Sequence, residues 1–166
     1  MESYDFIIVG AGSAGCVLAN RLSANPSHRV LLIEAGPLDS HPFVQIPFMT
    51  RVLFTMKSLN WGYDTQPETE LCGRQIRWPR GKVLGGSSSI NGMTFIRGHP
   101  TDFDNWRQLG AEGWSYEEVL PYFKRLESHA TKISPFRGNN GPLHLTQARR
   151  GGLLNEAFLA AGKSLS

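Results

Sequence analysis

Two clusters of residues in this 166-residue chain have the types and spacing for chemistry. The first is Gly10-Ala11-Gly12-Ser13-Ala14-Gly15. A GxGxxG turn of this kind suits the pyrophosphate of a dinucleotide. Gly10 permits the tight turn, Gly12 lets the backbone approach the phosphates, and Gly15 lets the following helix pack closely on the preceding strand. The helix start aims its free N–H groups and the positive end of its dipole at the anion. Glu34 lies nineteen residues after Gly15, near the spacing at which an acid accepts hydrogen bonds from ribose hydroxyls. No basic residue immediately follows it, which argues against a 2′-phosphate and so against NADP. The second cluster is Gly81 to Thr94, reading GKVLGGSSSINGMT. Its Gly-Gly followed by three serines offers close backbone approach and many small donors, enough to hold a flat polar ring or a phosphate. It lacks the GxxxxGK[ST] order of a Walker A loop, and taken alone it also reads as a flexible turn.

The elements around the first cluster have the periodicity needed to position it. Phe6-Ile7-Ile8-Val9 is a short apolar run that reads as a strand buried on both faces in a parallel sheet. Ala14, Leu18 and Leu22 recur at i, i+4 and i+8 and predict a helix that Asn25-Pro26-Ser27 breaks. Val30-Leu31-Leu32-Ile33 predicts the second strand, ending at Glu34. An ordinary βαβ unit with a surface Glu is the alternative; the coincidence of turn, helix, strand and acid argues against it.

Downstream, residues 38–59 are irregular, with Pro42 and Pro47 interrupting an apolar stretch and a short helix predicted over residues 51–56. Asn60–Thr65 and Gln75–Trp78 read as an antiparallel hairpin with Glu68–Gly73 in its loop. A helix capped by Thr101 is expected through Leu109. Ser115 and Glu118 form a capping box for the next helix, in which Pro121 is expected in or near the first turn. His129 is read at that helix's end, Leu143–Leu145 as a strand, and Leu153–Ala161 as an amphipathic helix.

The two glycine-rich clusters together resemble the glucose–methanol–choline flavoprotein oxidoreductases, over roughly Tyr4 to Leu145. Gly81, Lys82, Leu84, Gly85, Gly86, Ser87, Ser88, Ile90, Asn91, Phe95, Gly98 and Asp104 match the family's first signature. Trp61 and the lead-in Pro79-Arg80-Gly81 are similar to its choline and aliphatic-alcohol dehydrogenase branch. The resemblance implies an α/β fold: a Rossmann-like FAD-binding βαβ unit, incomplete, followed by the start of an α+β substrate domain. The corresponding boundaries are residues 1–100 and 101–166. It implies that Gly10, Gly12, Ser13, Ala14 and Gly15 hold the pyrophosphate, and that Glu34, with Ala35 beside it, serves the ribose. Arg80, Val83, Gly86, Asn91, Gly92, Met93 and Thr94 complete the candidate cofactor set. In some relatives a His directly before this Asn is bonded to the flavin. Ile90 stands there in this chain, so the expected FAD is non-covalent. The implied activity is oxidation of an alcohol CH–OH group, of choline or an aliphatic or aromatic alcohol, to an aldehyde or ketone. The electron acceptor, oxygen or a quinone, stays open. The family's proton-accepting His lies far toward the C-terminus, and none of His28, His41, His99, His129 or His144 matches it. No catalytic residue and no metal site is assigned.

Composition narrows the rest. The formal charge of +3, from 17 basic and 14 acidic residues, is too modest for a nucleic-acid face. Two cysteines without a CxxC pair suit a reducing compartment. No signal peptide and no membrane span are read, so the cytoplasm is expected. Two parallel strands are few for a doubly wound sheet, and the chain reads as the N-terminal part of a longer protein. Two other functions stay open: a module that holds FAD or its ADP part without turnover, and an NAD-binding Rossmann domain.

Overall fold

The computed structural model describes residues 2–130, 134–147 and 152–164. These divide into two compact units, one up to Thr94 and one from Phe95.

In the first unit, strand β1 (Phe6–Val9), helix α1 (Ser13–Leu22) and strand β2 (Val30–Ile33) form the expected βαβ unit. The strands pair in parallel, with Phe6 opposite Val30 and Val9 opposite Ile33. Of β1, only Ile8 is buried; Phe6, Ile7 and Val9 are exposed, because the sheet has two strands and covers one face. The residues after β2 form two 3₁₀ turns, Pro42–Gln45 and Pro47–Met49, and then the short helix α2 (Thr50–Leu53). Each 3₁₀ turn starts at a proline, whose fixed φ and missing N–H suit a first helical position. α2 matters for packing: Leu53 joins Leu59, Val83 and Ile90 in a buried cluster, flanked by Phe43, Val44, Phe54 and Met56. The irregular stretch thus supplies one wall of the core and the second glycine-rich segment the other.

Strands β3 (Tyr63–Asp64) and β4 (Arg77–Trp78) form the antiparallel hairpin. Its base is fixed by Asn60, a buried amide with its polar atoms engaged. Oδ1 accepts from the N–H groups of Gly62 (2.9 Å) and Arg80 (3.1 Å), and Nδ2 donates to Phe54 C=O (2.8 Å). The hairpin therefore delivers the chain to Gly81 in a defined place.

The second unit packs helix α3 (Pro100–Gln108) on helix α4 (Tyr116–Leu126), with Phe103 buried against Trp106, Tyr116 and Phe123. α3 starts two residues earlier than a Thr101 cap predicts. Its cap is His99, whose Nδ1 accepts from Thr101 N–H while Asp102 accepts from His99 N–H at 2.7 Å. α4 has the expected return contact from Glu118 to Ser115 N–H, 3.0 Å. The Ser115 hydroxyl and N–H hold the Glu118 carboxyl below its ordinary range. Pro121 lies in the interior of α4 and not in its first turn. Glu117, the residue four back whose carbonyl loses its helical partner, is exposed. His129 is in strand β5 (Glu127–His129), which pairs in parallel with β6 (Leu143–Leu145), and not at the end of a helix. Helix α5 (Leu153–Ser164) leaves Leu153, Leu154, Phe158 and Leu159 exposed.

Candidate cofactor site

The first unit brings three separate backbone segments together at the C-terminal end of β1. The GxGxxG turn leaves β1 with Gly10 N–H donating to Ile33 C=O at 2.7 Å. Glu34, directly after β2, folds back over the turn. Its Oε2 accepts from Ala11 N–H at 2.7 Å and its Oε1 from Gly36 N–H at 2.9 Å. The segment from Gly81 then closes on both. Gly85 N–H donates to Ala11 C=O (2.7 Å) and Leu84 N–H to Pro37 C=O (2.8 Å).

Glycine is required at the contacts between these segments, for steric reasons. A Cβ at Gly15 would overlap the Gly10 carbonyl oxygen, and one at Gly36 would overlap the Lys82 carbonyl. At Gly86, where φ is +58°, a Cβ would lie 2.9 Å from Gly12 Cα. Gly12 differs: a Cβ built there meets nothing within 4 Å. Its missing side chain leaves space open beside the turn. No side chain caps α1 and no acid occupies its first turn, and Ser13 and Ala14 are exposed there. An open glycine face beside uncapped helix N–H groups fits an anionic phosphate. Glu34 suits the adjoining ribose, since each carboxylate oxygen that takes one N–H still has a lone pair for a hydroxyl.

The remaining candidates fall into distinct places. Ala35 is exposed next to Glu34. Val83 is completely buried, so its side chain belongs to the core and only its backbone can face a ligand. Arg80 places its guanidinium over the Trp78 ring, 5.1 Å from the centroid, and donates to Pro79 C=O. Gly86 begins a 3₁₀ turn, Gly86–Ser89, stacked on Gly12. Asn91, Gly92, Met93 and Thr94 are exposed beyond that turn. Asn91 Oδ1 accepts from Met93 N–H at 2.8 Å, and Met93 has φ +56°.

The three serines are not equivalent donors. Ser88 donates its hydroxyl proton to Gly85 C=O and Ser89 to Leu84 C=O, so both are committed to their own turn. Ser87 Oγ accepts from Gly81 N–H (3.1 Å), which fixes the oxygen and leaves its proton for another acceptor. Sequence reasoning overlooked Ser87 as an individual residue, because this division depends on the turn's hydrogen bonds. Among the histidines, His28 braces Leu22 C=O, His41 accepts from Phe43 N–H and His99 caps α3. Among the described residues no group of His, Cys, Asp and Glu could hold a metal ion.

Known proteins share this arrangement. The family model described as GMC oxidoreductase matches residues 4–166. An oxygen-dependent choline dehydrogenase of Rhizobium etli (strain CIAT 652) is 52% identical over 162 residues, covering 96% of this chain and 29% of the relative. The chain thus spans under a third of the length of that relative. Among solved structures, pyridoxine 4-oxidase from Mesorbium loti superposes with a TM-score of 0.91 at 40% identity, covering 99% of this chain and 32% of that one. An FAD-dependent oxidoreductase from Chaetomium thermophilum superposes with a TM-score of 0.82 at 32% identity, covering 98% of this chain and 29% of that one. With the match running from the first strand through both glycine-rich segments and on to the last helix, the chain belongs to the GMC oxidoreductase family.

Proposed function

We propose that this chain binds FAD non-covalently and serves an oxidoreductase acting on the CH–OH group of a small alcohol, of the choline or aliphatic or aromatic alcohol class. The observation that carries the reading is the packing of both glycine-rich segments into one cradle, with Gly86 on Gly12 and open space beside the turn. An NAD-binding domain has no need of the second segment; a flavin ring does.

In this reading the N–H groups at the start of α1 hold the pyrophosphate and Glu34 accepts from the adenosine ribose. Ser87 donates its hydroxyl proton to the cofactor, and Asn91 to Thr94 line the flavin end. Ile90 is buried in the core cluster and carries no nucleophile, in keeping with a non-covalent flavin. When bound, FAD supplies the acceptor for the electron pair of the alcohol carbon. The Rhizobium relative's name supports oxygen as the terminal acceptor. His28, His41 and His99 each brace local backbone, so we assign the alcohol's proton to none of them. Residues 1–100 are read as part of the FAD-binding domain and 101–166 as the helical connection and start of a substrate domain. Both cysteines are free and no described helix is long and apolar enough to cross a membrane, which fits the cytoplasm.

Anaerobic addition of choline and of aliphatic and aromatic alcohols to the FAD-loaded full-length protein tests the reading. Loss of the visible flavin absorbance with one of them, restored by oxygen, is the expected result. Flavin uptake with no alcohol-dependent loss would instead favour a module that holds FAD without turnover.

A further inference from the structure

Met93 is one of two non-glycine residues with positive φ among the described residues, and it lies in the cofactor-facing segment. A left-handed conformation is unfavourable for an L-residue with a side chain and persists only where its surroundings over-determine it. Three contacts do so here. Ile90, just before the segment, is buried with Leu53, Leu59 and Val83. Asn91 Oδ1 accepts from Met93 N–H at 2.8 Å. The third comes from outside the segment: Thr50 Oγ1, at the start of α2, lies 3.3 Å from Asn91 C=O, and also 3.0 Å from Pro47 C=O. One hydroxyl proton is shared between these two carbonyls. Leu53, also on α2, packs in the cluster that buries Ile90, so α2 grips the segment by an apolar and a polar contact.

We propose that Thr50 is a positioning residue for the cofactor site: acting through Asn91, it holds the left-handed turn at Met93 in the geometry that faces the flavin. This rests on the FAD reading above. Thr50 touches no cofactor itself. The competing role is purely local, a hydroxyl that braces the start of α2 through Pro47. Thr55 provides a matched control, since its hydroxyl, just past the C-terminal end of α2, donates to Val52 C=O at 2.8 Å.

The test uses the FAD-loaded protein and reads the visible circular dichroism of the bound flavin together with the FAD dissociation constant. Thr50→Val should change the flavin dichroism and weaken FAD binding about fivefold, a typical effect of losing one hydrogen bond. Thr50→Ser should restore both, and Thr55→Val should leave both at the wild-type values. Wild-type dichroism and affinity in Thr50→Val, whatever its melting temperature, would overturn the proposal, as would an equal change in Thr55→Val. If Thr50→Val does not fold, Thr50→Ala removes the same hydroxyl, and wild-type flavin dichroism and FAD affinity there overturn the proposal too. Failure of the wild type to take up FAD would instead overturn the functional reading on which the proposal stands.

Discussion

At the residue scale, the glycines of the cradle divide by what their missing side chains make room for. Gly15 makes room for Gly10's carbonyl, whereas Gly12 faces open space. The two should therefore fail differently. Gly15→Ala forces the first turn of α1 off β1 and should lower stability by about 2–3 kcal/mol, within the range for overpacking a tight contact. Gly12→Ala should keep the wild-type urea midpoint and lose FAD binding, because its methyl occupies the phosphate's approach. Urea melts and FAD titrations of both variants check this. A Gly12→Ala protein that binds FAD normally contradicts the placement of the pyrophosphate. Gly10, with its φ of +93°, and Gly15, set against the Gly10 carbonyl, were legible from sequence because both need glycine for reasons local to the turn. Ser87 was not legible as the serine with a proton to offer. Its neighbours' hydroxyls are turned inward by hydrogen bonds that exist only once the 3₁₀ turn has formed.

At the element scale, the most demanding group is Glu127 at the start of β5, whose carboxylate is fully buried. It accepts from Gly138 N–H at 2.8 Å and pairs with Arg97 (2.8 Å) and Arg137 (3.2 Å). Arg97 also donates to Phe136 C=O and lies over the Phe123 ring, so one ionic cluster ties β5, α4 and the loop before β6 together. Burial pushes the Glu127 carboxyl up, but the Gly138 N–H and the two guanidinium groups outweigh it, and the net shift is downward. A carboxyl lowered on folding adds stability that is fully present above its unfolded value, near 4.5, and is lost as pH falls through the folded value. Glu127→Gln leaves two arginines without their counter-charge and should cost about 3–5 kcal/mol at neutral pH. It should also flatten the fall in stability on the acid side. Urea midpoints measured from pH 7 down to pH 3 read both effects, and an unchanged midpoint at pH 7 contradicts the assignment.

This cluster also marks where sequence reading stops. Phe6–Val9, α1 and β2 follow from local apolar patterns and form where expected, but β1 is not buried on both faces as expected, since Phe6, Ile7 and Val9 are exposed. Glu127 and Arg97 are thirty residues apart and read as ordinary surface charges until the fold joins them. His129 was misplaced for a related reason. A three-residue strand carries little periodicity, and β5 exists because β6 pairs with it from fourteen or more residues away. The start of α3 was missed by two residues, since Thr101 is the commoner cap type while His99 does the capping.

At the scale of the whole molecule, the first unit is built around the cradle, and its core of Leu53, Leu59, Val83 and Ile90 lies behind the second glycine-rich segment. Large apolar side chains stay exposed on β1 and on α5, among them Val9 at 83% and Leu153 at 87%. The chain covers 29% of the choline dehydrogenase relative.

The central claim is that this chain holds FAD, and holds it without a covalent bond. The most direct measurement is titration of the purified protein with FAD and, separately, with NAD, followed by acid precipitation of the flavin complex. The account predicts saturable uptake of one FAD per chain, no comparable uptake of NAD, and all of the flavin in the supernatant after acid. Tight NAD binding with no flavin uptake, or flavin that stays with the precipitated protein, would contradict it.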